Sequence, residues 1–427
     1  MAHILVASTP VYGHFAPMLA IARELVDGGH ELTFLTGEQY RPAVEGIGAR
    51  FVPLTGSASY DPAAAEEPYP ERSALPAGFP RLEFDMIHFF IDPIRDQYES
   101  IIRIIADRDE ETVVVQDAWF LGTWPFKLGV LGPRPRAVVS IGISPPPFTS
   151  IDTAPFGLGL PPDSSAAGRA RNQELNDQTY ELFAPAQAHL TQVLKDVGAK
   201  EPAPFTFDGM VTLPDLYLQL SIEGFEYPRS DAPATFRCVG MLTTTSEQAP
   251  VLPDWWGEVS AADTVVVVTQ GTVANRDFTE LIEPTLQALD GLDVLVVALT
   301  GRPAQLSTVP ANTRVAEFIP MDLLLPQADV VVSNGGYGGT QLTLSHGVPM
   351  VLAGTSEDKP EVAARAAWAG AAINLATDRP ERAALREAVE TVLTNPGYRT
   401  SAQRLQAEYA GHDARTEVRT AIENLLP

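Results

Sequence analysis

At 427 residues, with 45% apolar and 19% charged side chains, the chain can bury a substantial core and is long enough for two ordinary domains, which excludes global disorder. A formal net charge of -25 repels nucleic acid and offers no attraction to an anionic membrane. The single cysteine, Cys238, excludes an intrachain disulfide framework and a thiolate metal cluster.

The sequence starts Met1-Ala2-His3 with no basic leader, and no apolar stretch reaches membrane-spanning length, so a cytoplasmic protein with no membrane span is expected. Residues 4–8 read as a first buried strand. The loop 9–16 follows, Pro17 suits a helix start, and Leu19, Ile21, Leu25 and Val26 form an apolar stripe that Gly28-Gly29 ends. Residues 32–36 and 51–54 supply the next strands, and this alternation predicts a parallel, doubly wound sheet. Residues 56–80, rich in Ala, Pro, Ser and Glu, read as a surface loop, and 82–105 as a helix carrying Phe84, Phe89 and Phe90. Strands are expected at 113–117, ending in the carboxylate of Asp117, and at 138–143 and 216–221, with a helix over 173–197. Prolines and small polar residues mark an interdomain link over 224–250, with the crossing near Val239-Gly240.

A second strand–helix series follows, with strands at 264–269, 294–299, 315–319, 330–333 and 350–353 and a helix over 278–289. Two such arrays imply an α/β chain of two facing Rossmann-like domains, with ligands held in the cleft beyond the carboxyl ends of the strands. The stretch Val330-Val331-Val332-Ser333-Asn334-Gly335-Gly336-Tyr337-Gly338-Gly339-Thr340 reads as a buried strand, a glycine turn and, from Thr340, a helix. Glycines let backbone amides approach a ligand and a helix start attracts anions, so phosphate is the natural guest. The competing reading is a turn that merely packs a helix closely on the sheet. The spacing is neither the G-x-G-x-x-G of dinucleotide folds nor a P-loop.

Pro10-Val11-Tyr12-Gly13-His14 with Pro17, Asp117 after its strand, Gln270-Gly271-Thr272, Phe318-Ile319-Pro320 with Leu324-Leu325-Pro326, and 334–349 with Glu357-Asp358-Lys359-Pro360 together carry a resemblance. Over nearly its whole length the chain resembles the inverting, metal-independent family-1 glycosyltransferases of GT-B fold, especially the bacterial branch acting on macrolides, polyketides and other lipophilic natural products. The resemblance implies a deep interdomain cleft, with residues 1–223 as acceptor-binding domain, 224–250 as linker, 251–405 as nucleotide-sugar domain, and 406–427 as a helix returning to the first domain. It implies His14 as general base and Asp117 as its orienting partner, chemistry that suits imidazole near neutrality. It implies no cofactor or metal, only a UDP- or dTDP-linked nucleotide-sugar co-substrate. The donor would lie on Gly271, Thr272, Asn334, Gly335, Gly336, Gly338, Gly339, Thr340, Asp358 and Lys359, with its base stacked on Phe318. A core position is the competing reading for Phe318. A small lipophilic acceptor would meet Tyr12, Phe84, Phe89, Trp119 and Phe148. A monomer or weak homodimer is expected.

The chain departs from the family pattern at four positions. Asn334 stands where His is usual, Gly339 where Thr is usual, Leu342 where a Glu accepts from ribose hydroxyls, and Lys359 where Gln is usual. Loss of the ribose acceptor makes a dTDP-deoxysugar more plausible, although UDP-glucose is preferred. Asp107-Arg108-Asp109 has the spacing of a metal-binding D-x-D but precedes a strand start, so it reads as a solvated loop. His88, His189 and His346 lack metal-ligand spacing, and Ser144 and Ser333 lack a nucleophile-elbow setting. Two other functions fit the same cradle: a nucleotide-sugar epimerase or hydrolase, and a non-catalytic nucleotide-sugar-binding accessory protein.

Overall fold

The computed structural model describes residues 3–61, 68–76, 78–242, 251–271, 275, 277–303 and 305–427. Runs such as Val113-Val114-Val115, Val265-Val266-Val267-Val268 and Val330-Val331-Val332 are apolar on both faces of a strand, which only a parallel sheet covered on both sides can accommodate. Two such sheets form. The first takes β1 (His3–Ala7), β2 (Leu32–Thr36), β3 (Arg50–Pro53), β4 (Thr112–Asp117), β5 (Ala137–Gly142), β6 (Leu216–Gln219) and β7 (Phe236–Cys238) in the order β3-β2-β1-β4-β5-β6-β7. The second takes β8 (Val265–Thr269), β9 (Leu295–Leu299), β10 (Thr313–Ala316), β11 (Val330–Ser333), β12 (Met350–Leu352) and β13 (Ala372–Asn374) in the order β10-β9-β8-β11-β12-β13. Every strand pairing described is parallel.

Each order reverses direction once, between β1 and β4 in the first sheet and between β8 and β11 in the second. The crossovers leave on opposite sides there, so a crevice opens beyond the carboxyl ends of those strands. Register pairs Ala7 with Gln116 and Ser333 with Thr269, which brings the 9–16 loop beside Asp117 and the glycine turn beside Gln270-Gly271.

Composition placed residues 224–250 in a link, yet Phe236–Cys238 pairs with β6 as a strand of the first sheet. The first sheet therefore extends at least to Cys238, past the expected boundary at 223; residues 243–250 lie outside the described residues. Near the end of the chain, helix Pro396–Tyr409 packs on the second domain, with Tyr409 donating to Gln341 Oε1 at 2.9 Å. The chain then crosses, and helix Ala414–Glu423 buries Val418 and Ile422 in the core cluster that holds Ile21 and Leu25 of helix Tyr12–Asp27. Arg419 pairs there with Glu24 at 2.7 Å. Burial of two such aliphatic side chains is worth about 3–6 kcal/mol, so this last helix ties the domains together more than a surface ion pair could.

Candidate active site

Asp117 is the last residue of β4 and fully buried, with three donors converging on its carboxylate. Oδ2 accepts the Thr9 amide at 2.8 Å, while Oδ1 accepts the Trp119 amide at 2.9 Å and lies 3.0 Å from His14 Nδ1. His14 is the third residue of helix Tyr12–Asp27 and keeps part of its ring exposed. A carboxylate already accepting two amides can only accept again, so Nδ1 carries the proton and Nε2 presents a lone pair. Such a ring can take a proton from a hydroxyl and store the resulting charge against Asp117.

In the second domain Gly335 adopts φ 85°, a left-handed conformation that a Cβ would strain, and Gly336 caps the helix Tyr337–Ser345. The helix therefore begins three residues before Thr340, where the sequence pattern placed its start. Thr340 donates its amide to the Gly336 carbonyl at 2.9 Å, which leaves the amides of Tyr337, Gly338 and Gly339 without helical partners. A Cβ added at Gly336, Gly338 or Gly339 would meet nothing within 4 Å, so an anion can approach these amides closely. The Thr340 side chain does not join them: it is fully buried and its hydroxyl has no partner within the protein. Asn334 Nδ2 donates to the Gln270 carbonyl at 2.6 Å, which joins the two strand-end loops, and Gly271 turns with φ 70°. Thr272 lies outside the described residues. Phe318 follows β10 with 72% of its surface exposed, so it is no core residue and its ring is free to stack. Leu342 packs against the apolar core of the second domain.

Asp358 caps the helix Lys359–Trp368. Burial pushes its carboxyl up to about 6, against the pull of Lys359 and a weaker pull from His14. Lys359 is buried, its Nζ donating to Ser356 Oγ at 3.1 Å and pairing with the exposed carboxylate of Glu357. Cation and carboxyl thus sit beside the carbonyl end of the glycine turn, where a Cβ on Gly354 would touch both the Asn334 carbonyl and the Lys359 stem.

Aromatic rings close the first-domain side. Trp119 stands edge-on to His14 at 6.5 Å and donates its indole N–H to Ser144 Oγ at 3.0 Å. Phe84 and Phe89 gather instead around Tyr69, with ring centroids 5.6 Å away in each case. Phe148 packs on Phe236 and under the Arg229 guanidinium, with no ring contact to His14. Tyr12 is 57% exposed at the helix start. The ring stacked on His14 is Phe90, at 6.2 Å, and Phe90 also meets Trp119 at 4.9 Å. Sequence reasoning weighed Phe84, Phe89, Phe90 and Trp119 together and named Phe89, not Phe90, among the acceptor residues. The expected single helix over 82–105 is in fact broken by a π-helical turn, Met86–Ile91, whose extra residue per turn rotates each ring away from its α-helical direction. No composition signal marks such a turn.

Residues 283–425 match the family described as erythromycin biosynthesis protein CIII-like, C-terminal domain. The chain is 43% identical over 436 residues to UDP-glycosyltransferase 2 of Phaeomoniella chlamydospora, covering 99% of this chain and 95% of that protein. It is 40% identical to 4'-demethylrebeccamycin synthase of Lentzea aerocolonigenes, covering 100% of both. Among solved structures, the glycosyltransferase of kitacinnamycin superposes with a TM-score of 0.76 at 22% identity, over 100% of this chain and 99% of that one, a likeness of fold. Two doubly wound sheets meeting across a cleft, together with full-length identity at this level, mean that the chain is an enzyme of the family-1 natural-product glycosyltransferases, with the GT-B fold.

Proposed function

We propose that the enzyme moves a sugar, with glucose preferred, from a nucleoside diphosphate donor to a hydroxyl of a small lipophilic acceptor, with inversion at the anomeric carbon. His14 Nε2 takes the hydroxyl proton as the oxygen attacks, and the bond from the anomeric carbon to the diphosphate oxygen breaks on the opposite face. The amides of Tyr337, Gly338 and Gly339 receive the departing charge. Asp358 and Lys359 meet the sugar, Phe318 stacks on the base, and Phe90 and Trp119 flank the acceptor.

The observation that carries this reading is the His14–Asp117 pair at 3.0 Å, which holds the proton on Nδ1 and leaves the Nε2 lone pair to act as base. A protein that only binds a nucleotide sugar has no use for an oriented base, which weighs against the accessory role. A UDP-linked donor is favoured by the name of the Phaeomoniella chlamydospora relative. Replacing His14 with Ala is expected to lower kcat for transfer by about 10² to 10⁴ with nucleotide binding retained. Transfer within tenfold of wild type would refute the base assignment. Full-rate nucleotide release without any acceptor would favour a hydrolase instead.

A further inference from the structure

A buried chain of polar groups crosses between the domains and touches both second-domain helices that face the cleft. Tyr337, the first residue of the helix behind the glycine turn, is 5% exposed. Its hydroxyl accepts from Gln219 Nε2 at 2.6 Å, at the end of β6, and donates to Glu226 Oε1. Glu226, 3% exposed and lying between β6 and β7, accepts through its other oxygen from Arg365 Nε at 2.9 Å. Arg365, 1% exposed, belongs to helix Lys359–Trp368 and donates onward to Glu361 Oε2 at 2.6 Å. Glu361 Oε1 accepts the amides of Gly157 and Gly159 at 2.9 and 2.7 Å, in the first-domain loop that carries Phe156.

Buried ion pairs add little net stability over apolar packing of the same volume, but they penalise every arrangement that separates the partners. Here every link except Arg365–Glu361, which lies within one helix, joins the two domains, so what the network specifies is how the domains sit. Glu226 is its centre: one first-domain carboxylate is bonded to the start of the diphosphate-facing helix and, through Arg365, to the helix capped by Asp358.

We propose that Glu226 is a positioning residue for glycosyl transfer, fixing the starts of both donor-facing helices against the first domain and so setting the span between His14 and the anomeric carbon. The inference rests on the donor assignment made above. An acceptor hydroxyl held by the first domain needs that register, because small misplacements of reacting atoms are costly. Water attacking the donor does not need it. Loss of the network therefore separates transfer from hydrolysis.

The test uses Glu226→Gln, which keeps shape but removes charge. The variant is expected to bind UDP within about threefold of wild type and to hydrolyse UDP-glucose at the wild-type rate, while kcat for transfer to naphthol falls roughly tenfold to a hundredfold with donor KM little changed. A fall in hydrolysis and UDP affinity in parallel with transfer, as simple misfolding would give, overturns the proposal, as does unchanged transfer. Amide hydrogen exchange provides a readout free of any substrate. Glu226→Gln is expected to speed exchange at Gly157 and Gly159, which Glu226 does not touch, and unchanged exchange there overturns the proposal. Failure of the wild-type enzyme to bind either UDP or dTDP would sink the donor assignment instead, while the exchange result still judges the interdomain hold.

Discussion

Replacing Asp117 with Asn probes the site at its most constrained point. The carboxylate accepts from the Thr9 amide on one oxygen, and from the Trp119 amide and His14 Nδ1 on the other. An asparagine has only one acceptor oxygen. With that oxygen toward Trp119 and His14, its amide nitrogen opposes the Thr9 N–H at a position now 2.8 Å away. The flipped amide opposes the Trp119 N–H and donates to His14 Nδ1, which forces the ring proton onto Nε2 and removes the lone pair. Either arrangement leaves one buried amide unpaired, a cost of about 1–3 kcal/mol. Either also withdraws the negative charge that stabilises the imidazolium. The analogous exchange in a Ser-His-Asp hydrolase costs about 10⁴ in kcat, so a loss of roughly 10² to 10⁴ is expected here with a drop in Tm of a few degrees. Initial-rate kinetics across pH, beside thermal unfolding, measure the two separately. A variant that loses Tm but keeps kcat within tenfold would show that Asp117 only clamps the 9–16 loop, and the orienting role would be wrong.

Phe318→Ala should weaken UDP or dTDP binding about tenfold by calorimetry, since base stacking is worth about 1–3 kcal/mol, and should leave Tm unchanged because the ring is exposed. For Asp358, burial raises the carboxyl from 3.8 to about 6, so the folded chain disfavours its charge and stability from this group declines as pH climbs through that window. Asp358→Asn should accordingly raise Tm at neutral pH, with the gain vanishing below pH 3.8. The same wild-type carboxyl should contribute to a fall of kcat/KM for the donor as pH drops through about 6, and the Asn variant should lose that contribution while keeping the one from the general base. Lys359→Gln removes a buried cation beside the glycine turn and should change donor preference in competition assays more than acceptor preference; no change in either would take Lys359 out of the sugar site.

Much of this architecture is legible in the chain itself. Three or four consecutive valines satisfy only a strand covered on both faces, and the strand–helix alternation then fixes two parallel sheets. Asp117 and Asn334-Gly335-Gly336 stand where such runs end, which is the ligand edge of any sheet of this kind. The strand β7 escaped because Phe236-Arg237-Cys238 is only three residues long, too short for its alternation to be read as a strand, and it is held by pairing with β6. Thr340 looked like a helix start beside the glycines, yet the backbone begins the helix at Tyr337 and turns that hydroxyl inward.

What the sequence determined alone is local: which segments are strands, where they stop, and which residue types stand at those ends, because backbone sterics and burial periodicity act over a few residues. The tertiary structure decided everything that depends on register between distant segments. It set Phe90 rather than Phe89 on His14, since one π-helical turn rotates both rings. It also joined Glu226 to Arg365 across 139 positions, a pairing that exists only because two separately folded sheets meet at one angle and bury those charges together.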